Sequence, residues 1–485
     1  MREVERYPST YPKPIIGIVH LGLGAFHRAH QAVYMERTLA RHGGGEWGIC
    51  SANIRSNRAL VDQLRAQDCR YHVAEYRDSE HVALREIAAL QEVLYAGEGG
   101  EDREALLERM AEPATRIVTL TVTEKGYCLS PATGQLRVDD PNIVHDIRTP
   151  HAPRTAPGLL VEALRRRHAR GVAPFTVLCC DNMPDNGQRT RQAVTQLAAA
   201  QDERLAAWIS QEVAFPSSMV DRIVPAMTDA SFETLRQLGC KDPSAVIGEA
   251  FSQWVIEDQF PQGRPDWEQE GVQMVTDVRP FETMKLRLLN GSHSLLAYVG
   301  ALAGHTTVYD AMNDPALVRL VRHYMKDEAM PTLEMPAGID LNAYADDLVA
   351  RFRNDSLQHR LHQIAMDGSQ KLPQRWLSGT EARLAQGGGI SCIAFGVAAW
   401  IEYCSGQSSQ GAHEVNDPLR DTFAELHAHR QGEALVEAFL GLMDVFPASL
   451  TEQEGFRQAV HQAYRVLSTQ GIAAALAEAT NNNNH

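Results

Sequence analysis

Hydrophobic and polar positions alternate in two different ways along this chain of 485 residues. In the first half, short apolar runs typical of buried strands are separated by stretches in which apolar residues recur with a helical period. The strands are predicted at residues 15–21, 47–54, 117–122 and 175–180, and the helices at residues 26–42, 58–66 and 158–170. This alternation predicts a parallel sheet with helices on both faces.

The second half loses its strand signals from about residue 281 onward. Helical patterns replace them and are clearest at residues 315–326, 341–353 and 433–442. The apolar run 390–401 is interrupted by polar or small residues and is too short to cross a bilayer, so we expect a buried helix there. The sequence therefore predicts an α/β protein with a parallel-sheet domain at residues 1–280 and a mostly α-helical domain at residues 281–485.

Composition and charge exclude several classes of protein. The formal net charge is −15, with 44% apolar and 22% charged residues, and the only basic block is Arg165-Arg-Arg167. We therefore expect neither a nucleic acid nor a membrane surface as a partner. The N-terminal sequence lacks the apolar core of a signal peptide, and the eight cysteines include no Cys-x-x-Cys pair. These features predict a cytoplasmic protein with reduced thiols and no metal site.

A glycine turn after the first predicted strand is the first candidate site. Gly22 would permit the tight turn of a dinucleotide-binding motif, and Gly24 would let a pyrophosphate approach the backbone. The helix would begin with Ala25 and Phe26, and His27 stands in place of the third glycine of the usual pattern. An ordinary strand–helix turn is the alternative, but the position in an alternating domain favours a Rossmann-type fold.

The second predicted strand ends without the acidic residue that commonly holds the adenosine ribose. Asn53 lies near this end and could bind the ribose hydroxyls. Arg55 or Arg58 could equally hold a 2′-phosphate. The choice between NAD and NADP therefore stays open on chemical grounds.

A lysine, an amide and an imidazole recur along one predicted helix of the second half. Lys285, Asn290 and His293 stand at offsets of 0, 5 and 8. At about 100° per residue these offsets fall near 0°, 140° and 80°, so all three side chains can face one cleft. Leucines between them bury the rest of the helix, and a partly buried lysine can serve as a general base. The alternative is a snorkelling lysine, a capping asparagine and a satisfied core histidine.

Four segments in this order resemble the polyol-specific long-chain dehydrogenases, the family of mannitol 2-dehydrogenase, arabinitol dehydrogenase and fructuronate reductase. They are residues 18–31, 119–127, 180–182 and 285–293, and the resemblance covers nearly the whole chain. Residues 331–344 and 363–375 are most similar to the fructuronate reductase (D-mannonate oxidoreductase) branch. The resemblance implies a Rossmann-type domain for NAD, with NADP not excluded, and a mostly helical domain for the substrate.

The resemblance also implies roles for particular residues. Lys285 matches the catalytic lysine of the family, Asn290 and His293 match its neighbours, and Asn182 matches a second asparagine at the end of a Rossmann strand. Lys371 matches the substrate-side lysine. The implied reaction is a metal-free, reversible hydride transfer between NAD(H) and a sugar acid, D-mannonate to D-fructuronate. The resemblance implies a monomer.

The chemistry of these side chains fits the implied reaction. Oxidation of a secondary alcohol requires the hydroxyl proton to leave as hydride passes to the cofactor, and Lys285 could take that proton. Asn182 and Asn290 could donate to the developing alkoxide, as in an oxyanion hole. His293 could orient the hydroxyl.

Two residues, one near the end of the third predicted strand and one just after it, are expected at the edge of the cofactor. They are Thr121 and Glu124 in the segment Thr-Val-Thr-Glu-Lys-Gly. Glu124 is either a relay that carries the proton outward or only an ion-paired acid of the loop.

An aldonate substrate would add a carboxylate, which favours an arginine fork or a lysine nearby. Lys371 and Arg375 are the candidates, with Arg360 behind them. A surface ion pair is the alternative for Arg375. Gln363 stands where mannitol-type enzymes carry an arginine, and this departure supports the mannonate substrate.

Other departures keep further functions open. The triplet Ser51-Ala-Asn53 differs from the Glu-Val-Asn of fructuronate reductases, and residues 182–187 look more like the mannitol type. The closest alternative is a polyol dehydrogenase that acts on mannitol, fructose or arabinitol. A redox sensor would need the glycine turn without the lysine, amides and imidazole. A methyltransferase would leave the helical half without a role.

Overall fold

Five parallel strands form the main sheet of the first of two structural units, Met1–Arg279, in a computed structural model that describes residues 3–131 and 133–481. Across the sheet they follow the order Leu90–Tyr95, Gly48–Asn53, Ile16–Leu21, Ile117–Leu120 and Thr176–Cys179. The first of these strands in sequence lies in the centre, and the chain adds strands first on one side and then on the other. The carboxyl ends of strands 16–21 and 117–120 therefore border the switch point at which such folds bind ligands.

Helices cover both faces of this sheet. Successive residues of a strand point to opposite faces, so each strand contributes side chains to the hydrophobic core on either side. Val19 and Leu21 lie in one hydrophobic core, whereas Ile18 lies in the other. Such strands are apolar at nearly every position, so their apolar runs could be recognised in the sequence. The helices of this unit are Ala25–Ala29, Gln31–His42, Arg58–Ala66, Arg103–Ala111, Pro141–Arg148, Ala156–Ala169, Asn186–Gln201, Glu203–Glu212 and Asp229–Gln237, with 3-10 turns at Glu124–Tyr127 and Trp267–Glu270.

The segment 26–42 differs from its prediction as one helix. Helix Ala25–Ala29 ends at His30, whose backbone leaves the helical region, and a second helix then spans Gln31–His42. The His30 ring lies 2.9 Å from the carbonyl oxygen of Gln253, a contact with a residue far away in the sequence. Helical periodicity continues across the break, so the pattern of apolar residues could not reveal it.

Two smaller sheets complete the first unit. Their strands, in spatial order, are Glu3–Tyr7, His81–Ile87, Tyr71–Tyr76 and Val246–Glu249, and then Gln273–Val275, Gln253–Glu257 and Ser218–Asp221. The sequence did not predict these strands or the edge strand Leu90–Tyr95. In the edge strand, the half-buried polar residues Gln91 and Glu92 interrupt the apolar run that would predict a buried strand.

The second unit, Pro280–His485, is mostly helical as predicted. Its α-helices are Arg279–Met284, Gly291–Leu302, Val308–Met312, Pro315–His323, Leu341–Phe352, Leu361–Ile364, Gly368–Leu372, Ser378–Ala385, Ser391–Tyr403, Arg420–His429, Gly432–Leu440, Ala448–Thr451, Glu454–Gln470 and Ile472–Asn481. A 3-10 turn spans Met330–Thr332, and a short hairpin pairs Gln407–Ser408 with Gly411–Ala412. Within residues 3–131 and 133–481, no helix has both the length and the apolar character needed to cross a membrane.

Three π-helical segments interrupt the α-helices of this unit. They are Lys285–Asn290, Tyr324–Ala329 and Pro373–Leu377. Segment Lys285–Asn290 continues directly from Arg279–Met284 into Gly291–Leu302, so one unbroken helix runs through it. Such segments are rare and often mark functional sites.

Candidate functional site

The glycine turn has the geometry that a dinucleotide needs. Gly22 has φ of +114°, and a Cβ there would lie 2.3 Å from the carbonyl oxygen of Thr121. A Cβ on Gly24 would meet none of the described atoms within 4 Å, so the space above this residue is open. Helix Ala25–Ala29 begins at this point, with Ala25 and Phe26 half-buried. Backbone amides at a helix start favour an anionic phosphate, and the turn therefore fits a pyrophosphate.

His27 replaces the third glycine by stacking on a second histidine. Its ring lies parallel to that of His20, with centroids 3.4 Å apart, and its Nε2 lies 2.9 Å from Oγ of Ser51. The His20 ring is held between the hydroxyls of Thr119 and Thr121 at 2.6 and 2.7 Å. Burial lowers the pKa of His27 to about 3 and that of His20 well below its usual value, so both rings stay neutral. Two neutral imidazole rings therefore separate helix Ala25–Ala29 from the main sheet.

Asn53 supports the turn from the next strand. Its Oδ1 accepts a hydrogen bond of 2.9 Å from the backbone N–H of Leu23. Arg55 is exposed, whereas Arg58 pairs with Glu101 at 3.8 Å. Asn53 therefore fixes the glycine turn, and its contact with a ribose stays a prediction. The two arginines do not decide between NAD and NADP.

The loop after strand Ile117–Leu120 is held by a half-buried acid that the sequence did not single out. Asp181 accepts hydrogen bonds of 3.0 Å from the backbone N–H groups of Val122 and Thr123 and one of 2.5 Å from the hydroxyl of Tyr127. Burial raises its pKa. Asn182 follows directly and is exposed at the carboxyl end of strand Thr176–Cys179. The only signal in the sequence was the position of Asp181 within the motif Cys-Asp-Asn.

Glu124 lies on the surface of the same loop. Its carboxylate forms an ion pair of 3.1 Å with Arg189, and its side chain is 67% exposed. The ion pair agrees with the loop acid that the sequence left open, and the role of a proton relay stays a prediction.

Thr123 has a backbone conformation that is almost restricted to glycine, with φ of 66° and ψ of 162°. Such a residue stores about 1–3 kcal/mol of strain, and a glycine in an ordinary position costs about 0.5–1 kcal/mol in backbone entropy. We therefore expect Thr123→Gly to raise the free energy of unfolding by about 1 kcal/mol. Thermal unfolding of the variant measures this effect.

A matched control for Thr123→Gly is Thr133→Gly, which changes an exposed threonine in another turn. This control should be neutral or slightly destabilising. An unchanged or lower Tm of Thr123→Gly would contradict the expectation that this backbone is strained.

The helix that contains Lys285, Asn290 and His293 brings these three polar residues onto one face through its π turn. Lys285 and His293 are buried, each 8% exposed, and Asn290 is half-buried. A π turn contains one residue more than an α turn, so later residues lag by about 100°. In angle, His293 is then equivalent to a residue seven positions after Lys285 on a regular α-helix. It lies about 20° from Lys285 around the helix axis. The prediction of one regular α-helix was wrong, and the true geometry groups these side chains more tightly.

His293 is neutral, and one nitrogen of its ring has no hydrogen-bond partner among the described residues. This nitrogen, Nε2, is buried. Its ring packs on Phe352 and His359, with centroid distances of 4.8 and 5.7 Å. Burial, followed by the nearby His359, Arg375, Arg351 and Lys285, lowers its pKa well below the usual value. The alternative of a satisfied core histidine therefore does not describe Nε2.

Arg375 reaches the same helix from the π-helical segment Pro373–Leu377. It donates to Oγ of Ser294 at 3.0 Å and to the carbonyl oxygen of Asn290 at 3.5 Å, and burial lowers its pKa. A surface ion pair does not describe these partners. Lys371 is half-buried, and burial, followed by the charge of Arg375, lowers its pKa. Arg360, the third predicted residue, is exposed.

The geometry therefore gathers Lys285, Asn290, His293 and Arg375 within the second unit. Arg351 and His359 join this group and were missed by sequence reasoning. Their helix–loop segment lies more than fifty residues away, and neither belongs to a local motif. Within the described part of the chain, no group of three or more histidine, cysteine, aspartate or glutamate side chains could hold a metal ion.

Family models match both units. The model of the mannitol dehydrogenase Rossmann domain matches residues 16–269, and that of the mannitol dehydrogenase C-terminal domain matches residues 277–468. The chain belongs to the mannitol dehydrogenase family. It is therefore an oxidoreductase, and the α/β fold class and the family resemblance predicted from the sequence are confirmed.

The names of relatives in this family refer to different substrates. D-mannonate oxidoreductase of Escherichia coli K12 is 48% identical, with 95% of each chain covered. The uncharacterized oxidoreductase YeiQ of the same organism is 49% identical over 95% of this chain and 93% of its own. Among solved structures, Pseudomonas fluorescens mannitol 2-dehydrogenase in complex with NAD and D-mannitol is 36% identical, with a TM-score of 0.81 and coverage of 98% and 96%. A substrate-free D-sorbitol dehydrogenase is 33% identical, with a TM-score of 0.91 and 97% of each chain covered.

Proposed function

We propose that the protein is an NAD-dependent dehydrogenase that interconverts D-mannonate and D-fructuronate, with Lys285 as general acid and base. The observation that carries this proposal is the basic surroundings of His293. Besides burial, the groups that lower its pKa are His359, Arg375, Arg351 and Lys285. A site with this charge favours a substrate that carries a carboxylate. The similarity to D-mannonate oxidoreductase supports the same substrate.

NAD would be held by the glycine turn of the first unit. Gly22 permits the tight turn and Gly24 leaves room for the pyrophosphate, the backbone at Ala25 and Phe26 would face it, and Asn53 would bind the ribose. The Pseudomonas relative binds NAD, which supports this cofactor, and NADP is not excluded. When bound, the nicotinamide accepts hydride from the alcohol carbon and returns it in the reverse direction. Thr121, which is tied to His20, borders the turn.

The residues of the second unit would move and hold the proton. Lys285 accepts the proton of the substrate hydroxyl during oxidation and returns it during reduction. The Nε2 of His293 pairs with that hydroxyl and orients it, since this buried nitrogen needs a partner. The amide of Asn290 donates to the developing alkoxide. The same role for Asn182 rests on the family resemblance.

The substrate carboxylate would be balanced by Arg375 and Lys371. Arg375 is bound to the helix of Lys285 through Ser294, which leaves other guanidinium donors for a carboxylate. Lys371 adds a second positive charge close to it. Arg360 is a weaker candidate because it is exposed. A cytoplasmic monomer remains part of this proposal.

A polyol dehydrogenase is the second candidate. The Pseudomonas relative binds D-mannitol and is 36% identical, and several other relatives are named mannitol 2-dehydrogenase. An uncharged polyol would need the lysine, amide and imidazole but not the carboxylate-binding arginine.

Initial rates of NADH oxidation with D-fructuronate and D-fructose side by side test the proposal. We expect a strong preference for fructuronate, because only this substrate uses the positive charge of Arg375 and Lys371. The same measurements with NADPH assign the cofactor, and the variant Lys285→Ala gives the background rate. A preference for fructose would transfer the protein to the polyol dehydrogenases and leave the two basic residues with a structural role.

A further inference from the structure

Two other π-helical segments of the second unit pack against the Lys285 turn. Segment Lys285–Asn290 contacts both Tyr324–Ala329 and Pro373–Leu377. These two partners lie about 40 and 90 residues further along the chain. A π turn shifts the regular pattern of backbone hydrogen bonds, so some carbonyl groups need other donors.

Side chains of the two partner segments supply such donors. The hydroxyl of Tyr324 donates to the carbonyl oxygen of Arg287 at 2.5 Å. The indole N–H of Trp376 donates to the carbonyl oxygen of Gly291 at 3.0 Å. The first of these acceptors lies in the Lys285 turn, and the second lies directly after it. The turn is therefore held by long-range contacts and not only by its own backbone.

Both donors are fixed in place. Tyr324 is 3% exposed and Trp376 is 1% exposed. Burial raises the pKa of Tyr324, so its hydroxyl stays protonated and can donate at any physiological pH. Gly291 faces this hydroxyl so closely that a Cβ there would lie 2.1 Å from it. A side chain at position 291 would therefore push the tyrosine away from Arg287.

The geometry points to Tyr324 as a positioning residue for catalysis, with Trp376 as its partner. By holding the carbonyl of Arg287, Tyr324 maintains the π turn that places Lys285 and His293 on one face of the helix. A relaxed α-helix would rotate them about 100° relative to each other, since the extra residue of the π turn would be lost. This inference rests on the proposed function, because it assumes that Lys285 is the base.

The variant Tyr324→Phe tests the inference by removing one oxygen atom. We expect kcat to fall by about tenfold to a hundredfold, the scale of a small misplacement of a catalytic group, with KM for the cofactor unchanged. Hydrogen exchange of backbone amides in residues 285–294 should become faster. Tyr464→Phe is the matched control, because it removes the hydroxyl of a buried tyrosine that donates to Glu402. Both residues lie on helices other than the one that contains Lys285. It should change neither kcat nor this exchange.

Gly291→Ala provides a second, independent variant. Its methyl group would displace the Tyr324 hydroxyl, so we expect a similar loss of kcat. In the double variant Gly291→Ala/Tyr324→Phe the closest clash, with the hydroxyl, is absent, and only the contacts of the new Cβ with ring carbons at 2.9 and 3.1 Å remain. The two losses should therefore be less than additive, as for residues in contact. Additive losses would show that the two positions act separately and would overturn the inference.

The outcomes separate this inference from the proposed function. If Lys285→Ala abolishes turnover while Tyr324→Phe keeps normal kcat and normal exchange of residues 285–294, the positioning role is wrong and the function stands. If Lys285→Ala keeps normal turnover, the proposed base is wrong. Faster exchange in Tyr324→Phe would then still show that the tyrosine holds the turn, but its catalytic role would fail.

Discussion

Replacing Lys285 by alanine is expected to lower kcat/KM for alcohol oxidation by about 10²–10⁴-fold, the range that general acid–base catalysis contributes. The lysine is buried beside His293 and Arg375, and the neutral imidazole is already assigned to orient the hydroxyl. Arg375 holds its proton too firmly to replace it as a base. Cofactor affinity should stay near its normal level, since the groups proposed to bind NAD are in the glycine turn of the first unit.

Steady-state rates and a fluorescence titration with NADH measure the two parts of this expectation. Lys241→Ala, which removes an exposed lysine, serves as the matched control and should leave both quantities unchanged. Normal turnover by Lys285→Ala would remove the assignment of the base. Loss of NADH binding together with a lower Tm would instead indicate a folding defect, and Lys285→Met would then repeat the test with a longer apolar side chain.

Arg375→Ala is expected to raise KM for an aldonate by about 10–100-fold more than KM for a polyol, since a hydrogen bond to a charged group contributes about 1.5–3 kcal/mol. The arginine also donates to Ser294 and to the carbonyl oxygen of Asn290. Its removal should therefore disturb the catalytic helix for every substrate. The ratio of the two KM changes isolates the carboxylate contact from this shared structural effect.

KM values for D-mannonate and D-mannitol, each with saturating NAD, give that ratio. Arg375→Lys keeps the charge but loses the planar fork, so it should recover only part of the aldonate affinity. Arg353→Ala, an exposed arginine of the same unit, is the control and should change neither KM. Equal effects of Arg375→Ala on both substrates would assign the arginine a structural role only.

Much of the fold could be predicted from the sequence, because its strongest signals are local patterns of apolar residues. The strands of the main sheet are apolar on both faces, and residues 16–21, 48–53, 117–120 and 176–179 lie within the predicted strands. The helical second half was equally clear from its periodicity. The edge strand Leu90–Tyr95 was missed, because the polar residues Gln91 and Glu92 interrupt its apolar run. Register and strand order depend on pairing between distant segments, which no local pattern contains.

The candidate site shows the same division. The sequence by itself determined the glycine turn, the lysine, amide and imidazole on one helix, and the basic residues that follow them, because each is a short motif with its own chemistry. Only the tertiary structure revealed that Asp181 holds the loop after the third predicted strand, that Glu124 pairs with Arg189, and that His359 packs on His293.

The angular arrangement of Lys285, Asn290 and His293 was also decided by tertiary structure. Their spacing predicted an angle of about 80° between Lys285 and His293 on a regular α-helix, but the extra residue of a π turn reduces that angle to about 20°. That turn is held by Tyr324 and by Trp376, which lie far away in the sequence. Sequence determines which groups are available and which local structures they favour. The contacts between distant segments determine where a helix departs from its regular form, because they supply the hydrogen bonds that the irregular backbone lacks.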